Sequence, residues 1–427
     1  MSQHCNFIYK FPKKDLENLK LKMLNWLRPF NIFAYLDNND YHHRPNRFEC
    51  LIGAGAVQTF HNPENLPEGK WLFGHLNYEF GQRFFTKVGW RKTPSQNTFP
   101  NCFFFLPETI ISIPFGKSEL HISTIDPDPE NILKSILACS ADLQQASETI
   151  VHSWQTDFSE QEYVTQIQNI KQDIRRGDYY ELNFCVQSHA CYDYDRCQPF
   201  DLFAKINRQN PSPFAAFYRQ DNHFLLSASP ERFLHKEKRQ LRAQPIKGTI
   251  KRGRSATEDE QLKNQLISDI KERAENLMIT DLTRNDLAKI CTVGSVHVPD
   301  LLGLYTFPTL HHIISTVEGS LKADSTFKDI LEAAFPMGSM TGAPKKIVLE
   351  RIDQYEKNPR GIYSGSVGYI MPDGDFDFNV VIRSLVLNTD TRQIRYATGG
   401  AITYDSIPEK EWQETVLKAK SMKEVFH

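Results

Sequence analysis

The chain has 427 residues, of which 40% are hydrophobic and 24% are charged, and its 50 Lys and Arg nearly balance its 52 Asp and Glu. The formal net charge of -2 excludes the basic surface with which proteins bind nucleic acids or anionic membranes. Because no apolar stretch has the length of a signal peptide or a membrane-spanning helix, and the eight cysteines lack C-x-x-C spacing, we expect a cytoplasmic protein with reduced thiols.

The N-terminal part of the chain contains short aromatic strands and amphipathic helices. The predicted elements are strands at Trp71–Tyr78 and Phe103–Ile113 and helices near Leu16–Leu27 and Glu130–Gln144. No repeat, low-complexity tract or linker separates this part from the rest. We interpret residues 1–150 as a scaffold half and residues 151–427 as the catalytic half of one interlocked unit.

Residues 151–427 contain runs of strands separated by helices. An S-x-x-E capping pattern, Ser159 to Glu162, begins the first helix. The predicted helices are Ser159–Arg175, Thr257–Ile279, Ala343–Tyr355 and Pro408–Val425. The predicted strands are Tyr179–Ser188, Phe214–Arg219, Phe224–Ser227, Arg232–His235, Ser364–Ile370, Phe378–Leu387 and Ile394–Thr398. Because helices do not follow every strand, the order favours an α+β fold over a parallel α/β sheet.

Two predicted helices each carry an E-x-x-E pair, Glu272 with Glu275 and Glu411 with Glu414. A spacing of three places both carboxylates of a pair on one helical face. Two such helices side by side can offer oxygen ligands to Mg²⁺, which keeps part of its water shell. The alternative is a solvated surface, on which Lys271 and Glu275 form an ordinary ion pair.

Lys247 lies in the segment Pro-Ile-Lys-Gly-Thr, which predicts a tight turn between strands with Gly248 open to a ligand. A lysine can act as a nucleophile only when burial or a nearby cation lowers its pKa. The alternative is an exposed turn lysine. Glu231, in the segment SASPERF, can reach the same pocket from an adjacent strand. The alternative is an exposed surface glutamate.

Three other features are suited to anions. Ser339 begins a run of small residues before a predicted helix, and Gly399 and Gly400 follow a predicted strand, so backbone amides in both places can meet a carboxylate. Arg383, at the end of an apolar strand, is suited to bidentate carboxylate binding. For the Ser339 segment the alternative is helix capping, and for Arg383 it is an ion pair with an acid of the protein. For His312 the residues alone favour a core or hydrogen-bonding role over metal ligation.

These segments together resemble the chorismate-utilising enzyme family over about residues 160–427. The shared segments are, in chain order, SASPERF, PIKGT, KERAENLMITDLTRNDL, HHIISTVEG, FPMGSMTGAPKK, RGIYSGSVGYI, VVIRSLVL, ATGGAI and EKEWQET. The resemblance implies two antiparallel sheets packed face to face with helices outside, and an active site in the C-terminal half.

The resemblance also implies roles for individual residues. It makes Glu275 and Glu414 the Mg²⁺ ligands, with Glu272 and Glu411 nearby or acting through water. The substrate contacts that it implies are Arg383, Tyr363, Gly399, Gly400, His312 and Ser339, the last replacing the threonine of many members.

Two positions distinguish the activities within the family. Members that make anthranilate carry alanine where this chain has Lys247, so Lys247 indicates amination of chorismate at carbon 4. Members that add water at carbon 2 have a lysine where this chain has Glu181, and members that aminate carbon 4 more often have glutamine there. The resemblance therefore implies that neutral Lys247 attacks carbon 2, that protonated Glu231 assists departure of the hydroxyl, and that ammonia yields 4-amino-4-deoxychorismate.

Ammonia must come from elsewhere, because no glutaminase nucleophile is recognisable in the sequence. We expect a separate glutamine amidotransferase subunit, and no fused pyridoxal-phosphate lyase. Two alternatives remain: a member that makes anthranilate, and a non-catalytic paralogue that binds a partner or ligand without turnover.

Overall fold

A computed structural model describes residues 4–42, 46–85, 98–142, 151–194 and 198–426. Within these residues, ten α-helices surround two β-sheets. The helices are α1 (Leu16–Trp26), α2 (Tyr78–Gln82), α3 (Pro129–Ala138), α4 (Glu160–Arg176), α5 (Pro199–Gln209), α6 (Ala256–Ser268), α7 (Ile270–Ile290), α8 (Phe327–Ala334), α9 (Lys345–Tyr355) and α10 (Pro408–Lys423).

The strands of both sheets come from the whole length of the chain. They are β1 (Cys5–Lys10), β2 (Ile32–Asp37), β3 (Phe48–Ala54), β4 (Gln58–Phe60), β5 (Leu72–Leu76), β6 (Cys102–Leu106), β7 (Thr109–Pro114), β8 (Glu119–Thr124), β9 (Gln155–Thr156), β10 (Glu181–Cys191), β11 (Phe214–Gln220), β12 (His223–Ser229), β13 (Arg232–Glu237), β14 (Gln240–Gln244), β15 (Ile246–Lys251), β16 (His297–Thr306), β17 (Leu310–Ser320), β18 (Gly342–Ala343), β19 (Ser366–Ile370), β20 (Phe376–Asn379), β21 (Ser384–Asn388) and β22 (Gln393–Ile402).

The first sheet has 12 strands in the order β1-β8-β7-β3-β2-β11-β12-β21-β22-β10-β18, with β9 paired to β10. The second has 10 strands in the order β15-β17-β14-β13-β20-β19-β5-β6-β4, with β16 paired to β17. All the pairs between these strands are antiparallel. The predicted α+β class with two antiparallel sheets is confirmed.

An apolar layer between the sheets holds them face to face. Leu51 and Tyr218 of the first sheet pack in one buried cluster with Phe73, Phe105 and Tyr369 of the second. Further apolar clusters join the helices to the outer faces: α1, α3 and α5 to the first sheet, α7 and α8 to the second, and α4 and α9 to the edge formed by β10 and β22. Removal of this apolar surface from water is the main stabilising contribution.

Two of the predicted strands are each divided between the sheets. The segment Phe103–Ile113 forms β6 in the second sheet and β7 in the first, and Phe378–Leu387 forms β20 in the second and β21 in the first. The prediction of one continuous strand in each of these segments is therefore wrong. Because both sheets are buried, the segments are apolar on either side of the crossing, and polarity does not mark where the chain changes sheet.

The predicted helix Thr257–Ile279 is also two elements, α6 and α7. Asp269 leaves the helical conformation, and its side chain accepts a hydrogen bond from the Glu272 N–H at 3.0 Å, which caps α7. The capping box predicted for α4 is confirmed, since Ser159 and Glu162 bond each other's backbone N–H. The helix predicted at Glu130–Gln144 ends at Ala138, and residues 143–144 lie outside the described residues.

No helix among the described residues combines the length and the apolar character needed to cross a membrane. The cytoplasmic location and the division at residue 150 stay predictions.

Candidate active site

Lys247 lies in a bulge of β15 rather than in the predicted turn. The pairing register between β15 and β17 shifts between Ile246 and Thr249, and Gly248 has a φ of 88° in the left-handed region. A bulge re-aims the neighbouring side chain, and glycine adopts this φ without strain. Asn276 of α7 donates a hydrogen bond to the Lys247 carbonyl at 3.4 Å. The lysine side chain is 13% exposed, so its amine is largely shielded from water.

The Lys247 amine faces three acids. Its Nζ lies 3.4 Å from Glu181 Oε1. Burial disfavours the charged amine, but Glu181, Glu275 and Glu231 outweigh burial and raise the lysine pKa above its ordinary value. The lowered pKa expected for a nucleophile is therefore wrong for the protein without substrate, because the sequence did not show that Glu181 and Glu275 also lie close to the amine.

Glu231 occupies the corner between β12 and β13 and is 4% exposed. Its backbone N–H donates to Ser229 Oγ at 3.2 Å, and its carbonyl accepts from the Val380 N–H at 3.0 Å. Burial raises the pKa of the carboxyl group to about 7, although Ser339 and Lys247 act to lower it. A substantial fraction of Glu231 is thus protonated near neutral pH and able to donate.

Arg383 lies in the crossover from β20 to β21, and not within a continuous strand. Its φ is 50°, in the left-handed region that costs a non-glycine residue about 1–3 kcal/mol and is often found at functional sites. Among the residues that the structure describes, no acid forms an ion pair with its guanidinium. Burial lowers its pKa, against the influence of Tyr41 and Glu231. A shielded cation without a paired acid is suited to a substrate carboxylate.

His312 of β17 is fully buried. Its Nδ1 lies 2.8 Å from Thr249 Oγ1, and its Nε2 has no hydrogen-bond partner within the described part of the chain. Burial, and then the charge of Arg383, lower the imidazole pKa well below its ordinary value, so the ring is neutral. The Nε2 atom is therefore a buried polar group whose hydrogen-bonding capacity a ligand can satisfy.

Gly399 and Gly400 lie inside β22, not after the strand as predicted. A Cβ on Gly399 would lie 2.7 Å from the Phe184 carbonyl oxygen of β10, which is too close. A Cβ on Gly400 would lie 3.5 Å from Glu411 Oε2, an ordinary contact. Gly399 therefore allows the close approach of two strands, and Gly400 borders the glutamates.

Ser339 and Tyr363 lie next to these groups. The Ser339 hydroxyl is buried and has no hydrogen bond of normal geometry with described residues, yet it is close enough to Glu231 to lower the pKa of that carboxyl group. Tyr363 is 7% exposed and its hydroxyl adjoins Cys185, the residue opposite Gly399 in the β10–β22 pair. The predicted substrate contacts thus fall in neighbouring parts of the fold.

Glu275 of α7 and Glu411 of α10 face one ammonium group. Lys271 Nζ lies 3.7 Å from Glu275 and 3.3 Å from Glu411, and the two glutamates are 8% and 5% exposed. Burial raises the pKa of Glu275, Glu411 and Glu414 raise it further, and two lysines oppose them. The two E-x-x-E helices therefore bring their acids together.

Glu272 and Glu414 lie at the edge of this group. Burial, then the charges of Glu275 and Glu414, raise the pKa of Glu272 to about 7. Burial also disfavours ionised Glu414, but Lys418, 2.7 Å away, outweighs it and the pKa is lowered. No three His, Cys, Asp or Glu of the described residues form a ready metal-binding group. The crowded carboxylate oxygens nevertheless have the chemistry that Mg²⁺ prefers, and the magnesium site stays a prediction.

Two polar residues of α7 organise the site in ways that the sequence patterns did not predict. Lys271 bridges the two helices rather than pairing only with Glu275. Asn276 bonds the carbonyls of Lys247 and Ile313, at 3.4 and 3.2 Å, and so fixes the bulge against the helix. Both residues flank the first glutamate pair, a position that could have drawn attention to them.

A profile of the family described as chorismate binding enzyme matches residues 27–424. The chain therefore belongs to the chorismate-binding enzyme family, and the resemblance seen in its motifs is confirmed.

The chain is 46% identical, over 266 residues, to the probable chloroplastic aminodeoxychorismate synthase of Oryza sativa, a match that covers 62% of the chain and 29% of the rice protein. It is 33% identical, over 373 residues, to aminodeoxychorismate synthase component 1 of Escherichia coli, covering 86% and 79%. The crystal structure of anthranilate synthase component I from Streptococcus pneumoniae superimposes with a TM-score of 0.77 at 25% identity, covering 90% and 93%. The chain thus spans less than a third of the rice protein's length.

Proposed function

We propose that the chain is the chorismate-aminating component of an aminodeoxychorismate synthase. In this role it converts chorismate and ammonia into 4-amino-4-deoxychorismate, on the route to para-aminobenzoate and folate. The names of the rice and Escherichia coli relatives support this activity. The observation that carries the proposal is the Lys247 amine, held in a shielded pocket within the electrostatic influence of Glu231 and Glu275.

In the proposed mechanism, the Arg383 guanidinium and the Nε2 atom of His312 bind a carboxylate and an oxygen of chorismate. The Lys247 amine attacks carbon 2, the double bonds shift, and the carbon 4 hydroxyl leaves as water with the proton of Glu231. Ammonia then forms a bond to carbon 4, and the bond from carbon 2 to Lys247 breaks. The new amine returns a proton to Glu231, so the site is ready for another turnover.

Glu275, Glu411, Glu272 and Glu414 are the residues that would hold Mg²⁺. When bound there, the ion supplies positive charge that neutralises a substrate carboxylate. Burial, and then the charges of neighbouring glutamates, raise the pKa of Glu275 and Glu272, so a cation bound here would relieve the cost of ionising these acids.

Ammonia would come from a separate glutamine amidotransferase. Burial raises the pKa of the thiols of Cys50, Cys102, Cys185 and Cys291, so these cysteines are poor nucleophiles for glutamine hydrolysis. The name of the Escherichia coli relative, component 1, agrees with a partner protein.

Anthranilate synthesis is the second candidate, supported by the likeness to the Streptococcus pneumoniae structure. Incubation with chorismate, ammonium and Mg²⁺, followed by a lyase that converts aminodeoxychorismate to 4-aminobenzoate, separates the two. We expect lyase-dependent 4-aminobenzoate. Fluorescent anthranilate formed without the lyase would instead establish the second candidate, and the absence of any product would favour a non-catalytic paralogue.

A further inference from the structure

Glu181 is the acid closest to the Lys247 amine. It is the first residue of β10, 1% exposed, and its Oε1 lies 3.4 Å from Lys247 Nζ. Its other oxygen, Oε2, is buried and has no hydrogen-bond partner among the described residues. A buried carboxylate with one weakly held and one unpaired oxygen is poorly stabilised as an anion.

The proposed reaction requires a lone pair on the Lys247 nitrogen, and the amine carries its proton in the free protein. Three acids influence this amine: Glu181, Glu275 and Glu231. Glu231 has to be protonated in order to donate to the leaving hydroxyl, so it is not available to accept. Glu275 faces the Lys271 ammonium at 3.7 Å and belongs to the group of glutamates proposed for the cation.

We propose that Glu181 is a positioning residue that takes the proton of Lys247 as the amine attacks chorismate. This inference rests on the proposed function, in which Lys247 is the nucleophile. One N–H bond of the ammonium breaks, an O–H bond forms on Glu181, and the lone pair that remains forms the bond to carbon 2. When the carbon 2–nitrogen bond breaks, Glu181 returns the proton and the ion pair is restored.

The surroundings of Glu181 favour this transfer. Its Oε2 has no hydrogen-bond partner among the described residues, and burial raises the pKa of its carboxyl group against the opposing charge of Lys247. A substrate that binds over the pocket displaces more water. The loss of water disfavours the ion pair relative to a neutral amine and a neutral acid. The proton then moves within the pair, without passing to bulk water.

The first test is the pH dependence of covalent attack. The wild-type protein is mixed with chorismate in the absence of ammonia, and the adduct is followed by intact-protein mass spectrometry. The pH is kept below the Glu231 pKa of about 7, so that Glu231 is largely protonated. If Glu181 accepts the proton, the rate is nearly independent of pH. A wild-type rate that rises tenfold per pH unit would show that the proton goes to water and would overturn the inference.

Glu181→Gln keeps the shape but cannot accept a proton, so its rate should rise about tenfold per pH unit until Lys247 is deprotonated. Glu181→Asp keeps an acid and should retain the flat profile at a lower rate, which guards against misfolding of the glutamine variant. Glu49→Gln is the matched control, because Glu49 is also buried beside a lysine, Lys20, at 2.5 Å. It should keep the flat profile.

A second readout does not depend on turnover. Acylation of Lys247 by an amine-selective reagent, quantified by peptide mass spectrometry across pH, should give an apparent pKa about 1–3 units lower in Glu181→Gln than in wild type. An unchanged reactivity profile would overturn the pairing. A protein that forms neither adduct nor aminated product would contradict the proposed function as well, whereas normal product with a steep wild-type profile would contradict only the role of Glu181.

Discussion

Burial favours the neutral form of both proposed catalytic groups, Lys247 and Glu231, but it determines the outcome only at Glu231. It favours the neutral acid at Glu231, whose pKa rises to about 7. It also favours the neutral amine at Lys247, but the surrounding acids reverse that effect and keep the amine protonated. The resting site therefore holds both protons, and turnover requires one to leave Lys247 while the other stays on Glu231.

Glu231 should make kcat/KM fall at alkaline pH, which is the alkaline limb of the pH profile. Because the protonated form donates, kcat/KM should be full below the pKa and fall as pH rises through about 7, measured at a fixed concentration of unprotonated ammonia. Glu231→Gln should lower kcat by about 10²–10⁴-fold and abolish the limb. Asp157→Asn is the control, because burial raises the Asp157 pKa to about 6 in a different environment. A limb that persists in Glu231→Gln would contradict the assignment.

Residue types at the site could be predicted from the motifs, but their charge states could not. The raised pKa of Lys247 depends on Glu181, which is 66 positions away along the chain and meets the lysine only when β10 and β15 are placed in the fold. The unpaired Nε2 of His312 is likewise a property of packing. The burial of Glu231 is also a result of the fold, because its sequence neighbours Pro230 and Arg232 left a surface position open.

At the scale of elements, the crossover from β20 to β21 is where sequence patterns were least informative. The apolar segment Phe378–Leu387 predicted one strand, whereas the chain changes sheets within it and places Arg383 at the crossing. Helix signals were more reliable when a cap was present, as at Ser159. The break at Asp269 was missed because the helical pattern continues on both sides of it.

The paired glycines of β22 should respond differently to alanine. Gly399→Ala brings a Cβ to 2.7 Å from the Phe184 carbonyl oxygen, so we expect a loss of about 1–3 kcal/mol in the free energy of unfolding. Gly400→Ala makes only an ordinary contact with Glu411 and should fold normally, but fill space beside the glutamates and raise KM. Denaturant unfolding and steady-state kinetics measure both. Equal destabilisation by the two substitutions would contradict this division of roles.

The paired helices α7 and α10 should bind Mg²⁺. An ion bound to the native state raises its melting temperature, so added Mg²⁺ should raise that of the wild type but not that of Glu275→Gln. The variant and EDTA treatment should each abolish most turnover. Asp281→Asn, on the exposed side of α7, is the control and should behave as wild type. Full activity in EDTA-stripped protein, with no Mg²⁺-dependent shift, would exclude the site.

At the scale of the whole molecule, each sheet contains strands from both sides of residue 150. In the first sheet β2 pairs with β11, and in the second β5 pairs with β19. The apolar layer between the sheets therefore forms from both parts of the chain together. Family motifs predicted the two-sheet class, but the strand order depends on pairings between distant segments, which local patterns do not encode.

The nitrogen source should also be visible in the isolated protein. No glutaminase nucleophile is recognisable in the sequence, and the buried thiols of the described residues have raised pKa values, so we expect turnover with ammonium salts and none with glutamine. Addition of a glutamine amidotransferase that binds this chain should confer glutamine-dependent turnover. Efficient use of glutamine by a preparation shown to contain no other protein would contradict a separate partner.

The proposed mechanism depends on a covalent bond between Lys247 and the substrate. Intact-protein mass spectrometry after mixing with chorismate and Mg²⁺, without ammonia, tests it most directly. We predict that the wild type gains the mass of chorismate less one water, at Lys247, and loses the adduct when ammonia is added. Lys247→Ala should bind chorismate but form no adduct. Lys247→Arg should form no adduct either, because guanidinium stays protonated and cannot act as a nucleophile. If Lys247→Ala formed 4-amino-4-deoxychorismate at the rate of the wild type, and neither protein formed an adduct, covalent catalysis by Lys247 would be excluded.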